Sequence, residues 1–165
     1  MAKRTLGATP ATTALRRAGI DYRLHVYPHH DQTTAYGTEA ADALGVDPTT
    51  IFKTLIAEVS TTRGPELICA VVPVAGHLDL KALATSVGAK KATMADPEAA
   101  VRSTGYVLGG ISPVGQRSRL RTVLDASADG RPTIMVSAGR RGQQVELAPA
   151  DLITVTGAVV APIGT

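Results

Sequence analysis

The chain has 165 residues, of which 44 % are apolar and only 3 % aromatic, with a net charge of +3 and a pI near 9.2. That length encloses one substantial core, the composition excludes disorder, and no apolar run approaches the ~18 residues of a membrane span. One Phe and no Trp argue against binding nucleic acid on rows of stacked bases, and the mild basicity permits a polyanionic partner without demanding one.

Lys3 and Arg4 are not followed by an apolar stretch, so no signal peptide is read and a soluble, cytoplasmic, single domain is expected. Thr9-Pro10 is a helix start, with Ala11, Ala14, Leu15 and Ala18 at helical spacing and Gly19 as the stop. Residues 21–27 set Tyr22, Leu24 and Val26 against Arg23, His25 and Tyr27, the alternation of a half-buried strand that Pro28 ends. The polar residues 29–34 read as a loop. A second helix is expected over 38–44, closed by Gly45, and Asp47-Pro48 makes a cap or turn.

Residues 51–59 and 66–74 are two apolar runs joined by a short polar connection, the pattern of an antiparallel hairpin. The only cysteine, Cys69, lies in the second run and reads as a small buried hydrophobe, with no internal disulfide possible. Asp79 caps a third helix carrying Leu80, Leu83, Ala84 and Val87. Asp96-Pro97-Glu98 opens a fourth, to about Ser103. Short strands follow over 122–124, 133–137 and 144–147. Residues 151–156 fit either a helical turn or a strand, and 158–163 fit a final edge strand. Interleaved helices and hairpin-like pairs imply an α+β domain with a mixed, mostly antiparallel sheet, open to curling on itself.

Residues 102–116 hold four glycines (Gly105, Gly109, Gly110, Gly115), one proline and an apolar thread of Tyr106, Val107, Leu108 and Ile111. They read either as a shaped loop at a pocket rim or as two tight turns around a short buried strand. The four histidines lack metal-ligand spacing, and no nucleophile elbow or Walker loop occurs. Lys53 sits among apolar strand residues. It is either a solvated lysine near a strand end or a cation fixed in a pocket, suited to a phosphate, a carboxylate or a developing oxyanion. Arg140-Arg141 between glycines are either a solvated turn or a grip on phosphates.

Residues 52–55, 73–81, 89–91, 94–97 and the whole of 102–116, with Arg-Ser-Thr-Gly-Tyr and Gly-Gly-Ile-Ser-Pro in the last, resemble the YbaK/EbsC family from Thr9 to about Leu152. That resemblance implies a barrel-like sheet flanked by helices. It also implies a free-standing editing deacylase, with no cofactor and no metal, that clears cysteine from proline tRNA and, as a further possibility, from cysteine tRNA. Lys53 would be essential, holding the 3′-terminal region of the tRNA or polarising the ester carbonyl, and N–H groups at Gly109 and Gly110 would receive the oxyanion. Tyr27 and Ser137 match pocket positions. Thr54 and the loop residues Ile111, Ser112 and Pro113 would border the aminoacyl group. Arg140 and Arg141 would touch tRNA, and prolyl-tRNA synthetase would be the partner that selects it. The nucleophile would be the substrate's own thiol, leaving as a cyclic thioester. Ala138-Gly139 stands where the family has Gly-Gly, and Gln144 where it has an Asp, which puts contacts to the terminal nucleotide in doubt. Two other readings stay open: an editing domain for another amino acid, such as alanine on proline tRNA, and a non-catalytic module that binds tRNA or a synthetase.

Overall fold

A computed structural model of the chain describes residues 8–30 and 36–165; Lys3, Arg4 and the loop residues 31–34 lie outside the described residues. Five helices are present there: α1 (Pro10–Arg17), α2 (Tyr36–Leu44), α3 (Leu80–Ser86), α4 (Pro97–Thr104) and α5 (Pro149–Thr156). Their starts follow the capping signals. Thr9 and Thr12 form a reciprocal box, the Thr12 N–H donating to Thr9 Oγ1 at 3.1 Å and the Thr9 N–H to Thr12 Oγ1 at 2.9 Å. Asp79 accepts from the Ala82 N–H at 3.0 Å, and Asp96 from the Ala99 N–H at 3.3 Å. The ambiguous segment 151–156 is helical, with Pro149 in the first turn and Gly157 closing it in the left-handed conformation.

Eight strands are formed among the described residues: β1 (Arg23–Val26), β2 (Phe52–Thr61), β3 (Gly64–Pro73), β4 (Ala92–Met94), β5 (Arg121–Asp125), β6 (Ile134–Ser137), β7 (Gln143–Leu147) and β8 (Val159–Ala161). The pairing is mixed and mostly antiparallel, as expected, but the strands divide into two sheets. One has the order β4-β2-β3-β5-β8, and the other β1-β7-β6. A parallel bridge between Ile51 and Met135 joins them where β2 begins. The β2–β3 hairpin is longer than its apolar runs suggest, pairing Phe52 with Pro73 through to Thr61 with Gly64.

Both faces of the larger sheet are covered, which is why β3 reads as an unbroken apolar run rather than an alternating one. Cys69 and Val71 face a core shared with the smaller sheet, α1 and α5, built around Leu15, Phe52, Val136 and Leu152. Ile68, Ala70 and Val72 face the opposite way, onto Leu83 and Ala84 of α3 and onto Ile163. A third cluster, with Tyr27, Ala40, Ala41, Ile51 and Met135, packs α2 over the seam between the sheets. Val26, expected on the buried face of β1, is 54 % exposed. Its neighbour Tyr27 turns inward instead, because the Tyr27 N–H continues the pairing to the Gly142 carbonyl and delivers the ring under α2.

Asp125 ends β5 and is buried, the whole residue 6 % exposed. Burial opposes its ionisation, but the Ser127 hydroxyl and the N–H groups of Gly164, Ser127 and Ile163 outweigh it and hold the carboxyl below its ordinary value. A depressed folded value means the stability it contributes is fully present above the unfolded value and disappears as pH falls through the folded one. Asp125→Asn is therefore expected to cost about 2 kcal/mol at neutral pH. In urea titrations the gap between the two proteins should stay constant above about pH 4 and close below it.

Candidate functional site

At the start of β2, Ile51 and Phe52 are both sealed into core clusters at 1 % exposure. Committing those two side chains leaves Lys53 to emerge where the two sheets meet, into a cavity of about 290 Å³. The cavity floor is the run from Ile51 to Leu55. One wall is the first turn of α2 (Tyr36, Gly37, Thr38) with Val74. The other walls are Gly109 and Ile111 of the glycine-rich loop, and Ser137 and Gln144 of the smaller sheet.

The Lys53 ammonium donates to the Gly76 carbonyl at 2.8 Å. Burial holds its pKa below the ordinary lysine value, and no carboxylate among the described residues pairs with it. Thr54 Oγ1 and Gln144 Oε1 are buried without a hydrogen-bond partner. The Gln144 amide donates to the Tyr27 hydroxyl at 3.3 Å, so Tyr27 stands behind Gln144 rather than on the cavity wall. Burial pushes the Tyr27 phenol up, and that hydrogen bond acts against the shift.

Residues 105–120 form no strand, which settles the two readings of the glycine-rich stretch in favour of a shaped loop. Gly105 closes α4 in the left-handed conformation. The buried Tyr106 then spans the loop, its hydroxyl donating to the Val114 carbonyl at 2.7 Å. Gly109 has φ +81, and a Cβ there would lie 2.6 Å from two atoms of the Tyr36 ring. Tyr36 is held in turn by the Arg141 guanidinium, 5.2 Å above its centre, and by the His29 ring at 5.8 Å. Arg141 Nε donates to the Leu108 carbonyl at 2.7 Å, and Arg140 donates to the Ala8 carbonyl at 3.2 Å. Arg141 thus clasps the loop from outside the cavity, Arg140 ties to the residue before the cap of α1, and both arginines are exposed.

Of the residues singled out in the sequence, Lys53, Thr54, Gly109, Ile111 and Ser137 converge on this cavity. Three loop residues do not. The Gly110 N–H donates to the Val107 carbonyl at 2.9 Å, so it is engaged in a turn and is not open to an oxyanion. The Gly109 N–H has no acceptor among the described residues. Ser112 is fully buried and its hydroxyl accepts from the Val114 N–H at 3.2 Å. Pro113 lines a second, smaller cavity on the other side of the loop, beside Ala14 of α1 and Val155 of α5. Tyr36, Gly37 and Val74 were not read as site residues. The helix expected over 38–44 starts two residues earlier, at Tyr36, which puts Gly37 in its first turn, where a Cβ would run into Val74.

Among the described residues the cavity offers one cation, neutral hydroxyl and amide groups, and no carboxylate, thiol or imidazole on its walls. Cys69 lies elsewhere, fully buried, with burial pushing its thiol up to about 11. His25 and His29 are each paired with a carboxylate, Glu146 at 2.9 Å and Glu39 at 2.8 Å. Among the described residues no group of three or more His, Cys, Asp or Glu side chains could hold a metal, and no helix is long and apolar enough to cross a membrane.

Residues 30–155 match the model of a family described as the aminoacyl-tRNA editing domain. The chain is 34 % identical over 163 residues, covering 99 % of it and 97 % of the relative, to a protein of Enterococcus faecalis named "Putative Cys-tRNA(Pro)/Cys-tRNA(Cys) deacylase EbsC". It is 28 % identical over 122 residues to the uncharacterized protein YwhH of Bacillus subtilis, covering 74 % of this chain and 75 % of that one. Among solved structures, one described as a "putative trans-editing enzyme for prolyl tRNA synthetase" superposes with a TM-score of 0.81 at 28 % identity, over 98 % of both chains.

Proposed function

The chain belongs to the aminoacyl-tRNA editing domain family, and from that premise we propose that it is a single-domain deacylase that clears cysteine mischarged onto proline tRNA. The observation that carries this reading is a cavity whose only ionisable wall groups among the described residues are Lys53 and the Tyr36 phenol, in a protein whose one thiol is sealed in the core. Such a site suits a substrate that brings its own nucleophile. The cysteinyl thiol attacks its ester carbonyl and a C–S bond forms. The C–O bond to the terminal ribose breaks, the thiol proton ends on the ribose oxygen, and a cyclic thioester leaves. Intramolecular attack needs orientation and stabilisation of the carbonyl oxygen as it becomes negative. The Lys53 ammonium and the Gly109 N–H are suited to the second task. Ser137 and the Gln144–Tyr27 pair are suited to hold the aminoacyl-adenosine.

Arg140 and Arg141, exposed beside the loop, would meet the tRNA backbone. With a net charge of only +3, tRNA selection would fall to prolyl-tRNA synthetase as a transient partner, in the cytoplasm where translation runs. The test is deacylation of cysteinyl-, alanyl- and seryl-tRNA-Pro side by side. Cysteinyl-tRNA should lose its amino acid at least about 100-fold faster than either competitor, because only it supplies the intramolecular nucleophile. Equal rates on the alanyl ester would overturn the reading.

A further inference from the structure

Lys53 has one hydrogen-bond partner among the described residues, the Gly76 carbonyl, and Gly76 belongs to no helix or strand. What fixes that carbonyl lies at the opposite end of the sequence. Residues 76–79 run beside residues 163–165 as a short antiparallel pair, with Leu78 bridged to Gly164. The Thr165 N–H donates to the His77 carbonyl at 2.8 Å, the His77 N–H to the Thr165 carbonyl at 3.4 Å, and the Asp79 N–H to the Ile163 carbonyl at 2.7 Å. The approach is close enough that a Cβ on Gly76 would run into the Thr165 carbonyl oxygen. Gly76 has an ordinary φ, so proximity and not backbone conformation calls for glycine there.

The far side of this pair is anchored independently. Ile163 is fully buried against the larger sheet, and the Asp125 carboxylate accepts from the N–H groups of Ile163 at 2.9 Å and Gly164 at 2.7 Å. Thr165 itself is exposed, yet its hydrogen bonds among the described residues all go to His77. Ile163 is the last buried residue of the sequence. The extra pairing beyond it acts on the 76–77 turn that carries the lysine's acceptor.

We infer that residues 163–165 are a strut that positions Lys53: Asp125 holds the strut, the strut holds the 76–77 turn, and the Gly76 carbonyl holds the ammonium in the cavity. Gly76, Thr165 and Asp125 are positioning residues and none of them touches substrate. The inference rests on Lys53 being the working cation of the proposed reaction. A long, rotamer-rich side chain is fixed in one place only if its acceptor is fixed, and small displacements of a reacting group carry large rate penalties.

Two variants strike the strut at different points. Thr165→Pro removes the N–H that donates to His77, while Thr165→Ala keeps every backbone bond. Gly76→Ala pushes the strut away by its Cβ. Thr165→Pro and Gly76→Ala should each lower the single-turnover rate on cysteinyl-tRNA-Pro by about 10- to 100-fold without weakening substrate binding. Both should also move the Lys53 side-chain resonances in ¹³C-lysine NMR, assigned by their loss in Lys53→Arg. Thr165→Ala should match the parent in rate and spectrum. Parent rates and unmoved Lys53 resonances in both variants would overturn the strut. Shifted resonances with an unchanged rate would uphold the strut and overturn instead the role given to the lysine.

Discussion

Lys53→Ala is expected to abolish deacylation while leaving the fold in place. The side chain is half-buried, makes one hydrogen bond and no ion pair among the described residues, and sits beside Ile51 and Phe52, which carry the packing. Losing that bond costs on the order of 1 kcal/mol. Part of this is offset, because burial already disfavours the charged amine, as its lowered pKa reports. Thermal melting should therefore move by a few degrees at most. The chemical step should fall by about 100- to 1,000-fold, the size of effect seen when one preorganised donor to a developing oxyanion is removed. Lys53→Arg keeps the charge but replaces a compact ammonium with a longer planar fork whose donors cannot all be matched by the Gly76 carbonyl, and it is expected not to restore activity.

The pH profile gives an independent reading of the same residue. A lysine whose pKa is lowered keeps its charge below that value and loses it as pH rises through it, so a reaction needing the ammonium falls off earlier on the alkaline side than an ordinary lysine would allow. The substrate thiol contributes the opposite, rising limb, and the product is a bell. A rate that keeps climbing through the alkaline range, or an alanine variant with parent activity, would remove Lys53 from the chemistry.

How much of this was legible in the sequence depends on whether the information is local. Thr9-Pro10 and Asp96-Pro97 announce helix starts because a cap and its first turn are adjacent residues, and both were readable. Lys53 stood out because a cation after Ile51 and Phe52 contradicts an apolar strand. The glycine-rich stretch fitted a loop with an apolar anchor or two turns around a short strand; the structure shows no strand there, and the buried Tyr106 is the anchor. Which way each loop residue faces was not readable. Irregular backbone has no period, so nothing separates Gly109, on the cavity, from Gly110, whose N–H is taken by Val107, or from Pro113, which faces the second cavity. The division into two sheets was equally hidden. It depends on β7 lying between β1 and β6, and the β1–β7 pairing joins residues more than a hundred positions apart.

The contrast between the two adjacent loop glycines yields the second large effect. Gly109→Ala forces a side chain into the left-handed region at φ +81 and places its Cβ 2.6 Å from the Tyr36 ring. Tyr36 cannot simply yield, because Arg141 and His29 brace it and Arg141 also holds the Leu108 carbonyl. The loop must move instead, carrying the Gly109 N–H away from the carbonyl oxygen it is proposed to meet. The expected cost is about 1–3 kcal/mol in stability and a rate loss of about 100-fold. Gly110→Ala is milder: φ is ordinary, and the nearest atoms, Arg140 backbone at 3.2 Å, require a shift of only a few tenths of an ångström. The double variant Gly109→Ala with Tyr36→Ala separates the two costs at Gly109. Removing the ring clears the clash but leaves the φ strain, so the pair should recover part of the stability lost by Gly109→Ala, a coupling of about 1 kcal/mol in a double-mutant cycle. Strict additivity would mean that the ring and the loop do not brace one another. Deacylation should recover less than stability does, because Tyr36 is itself a wall of the cavity.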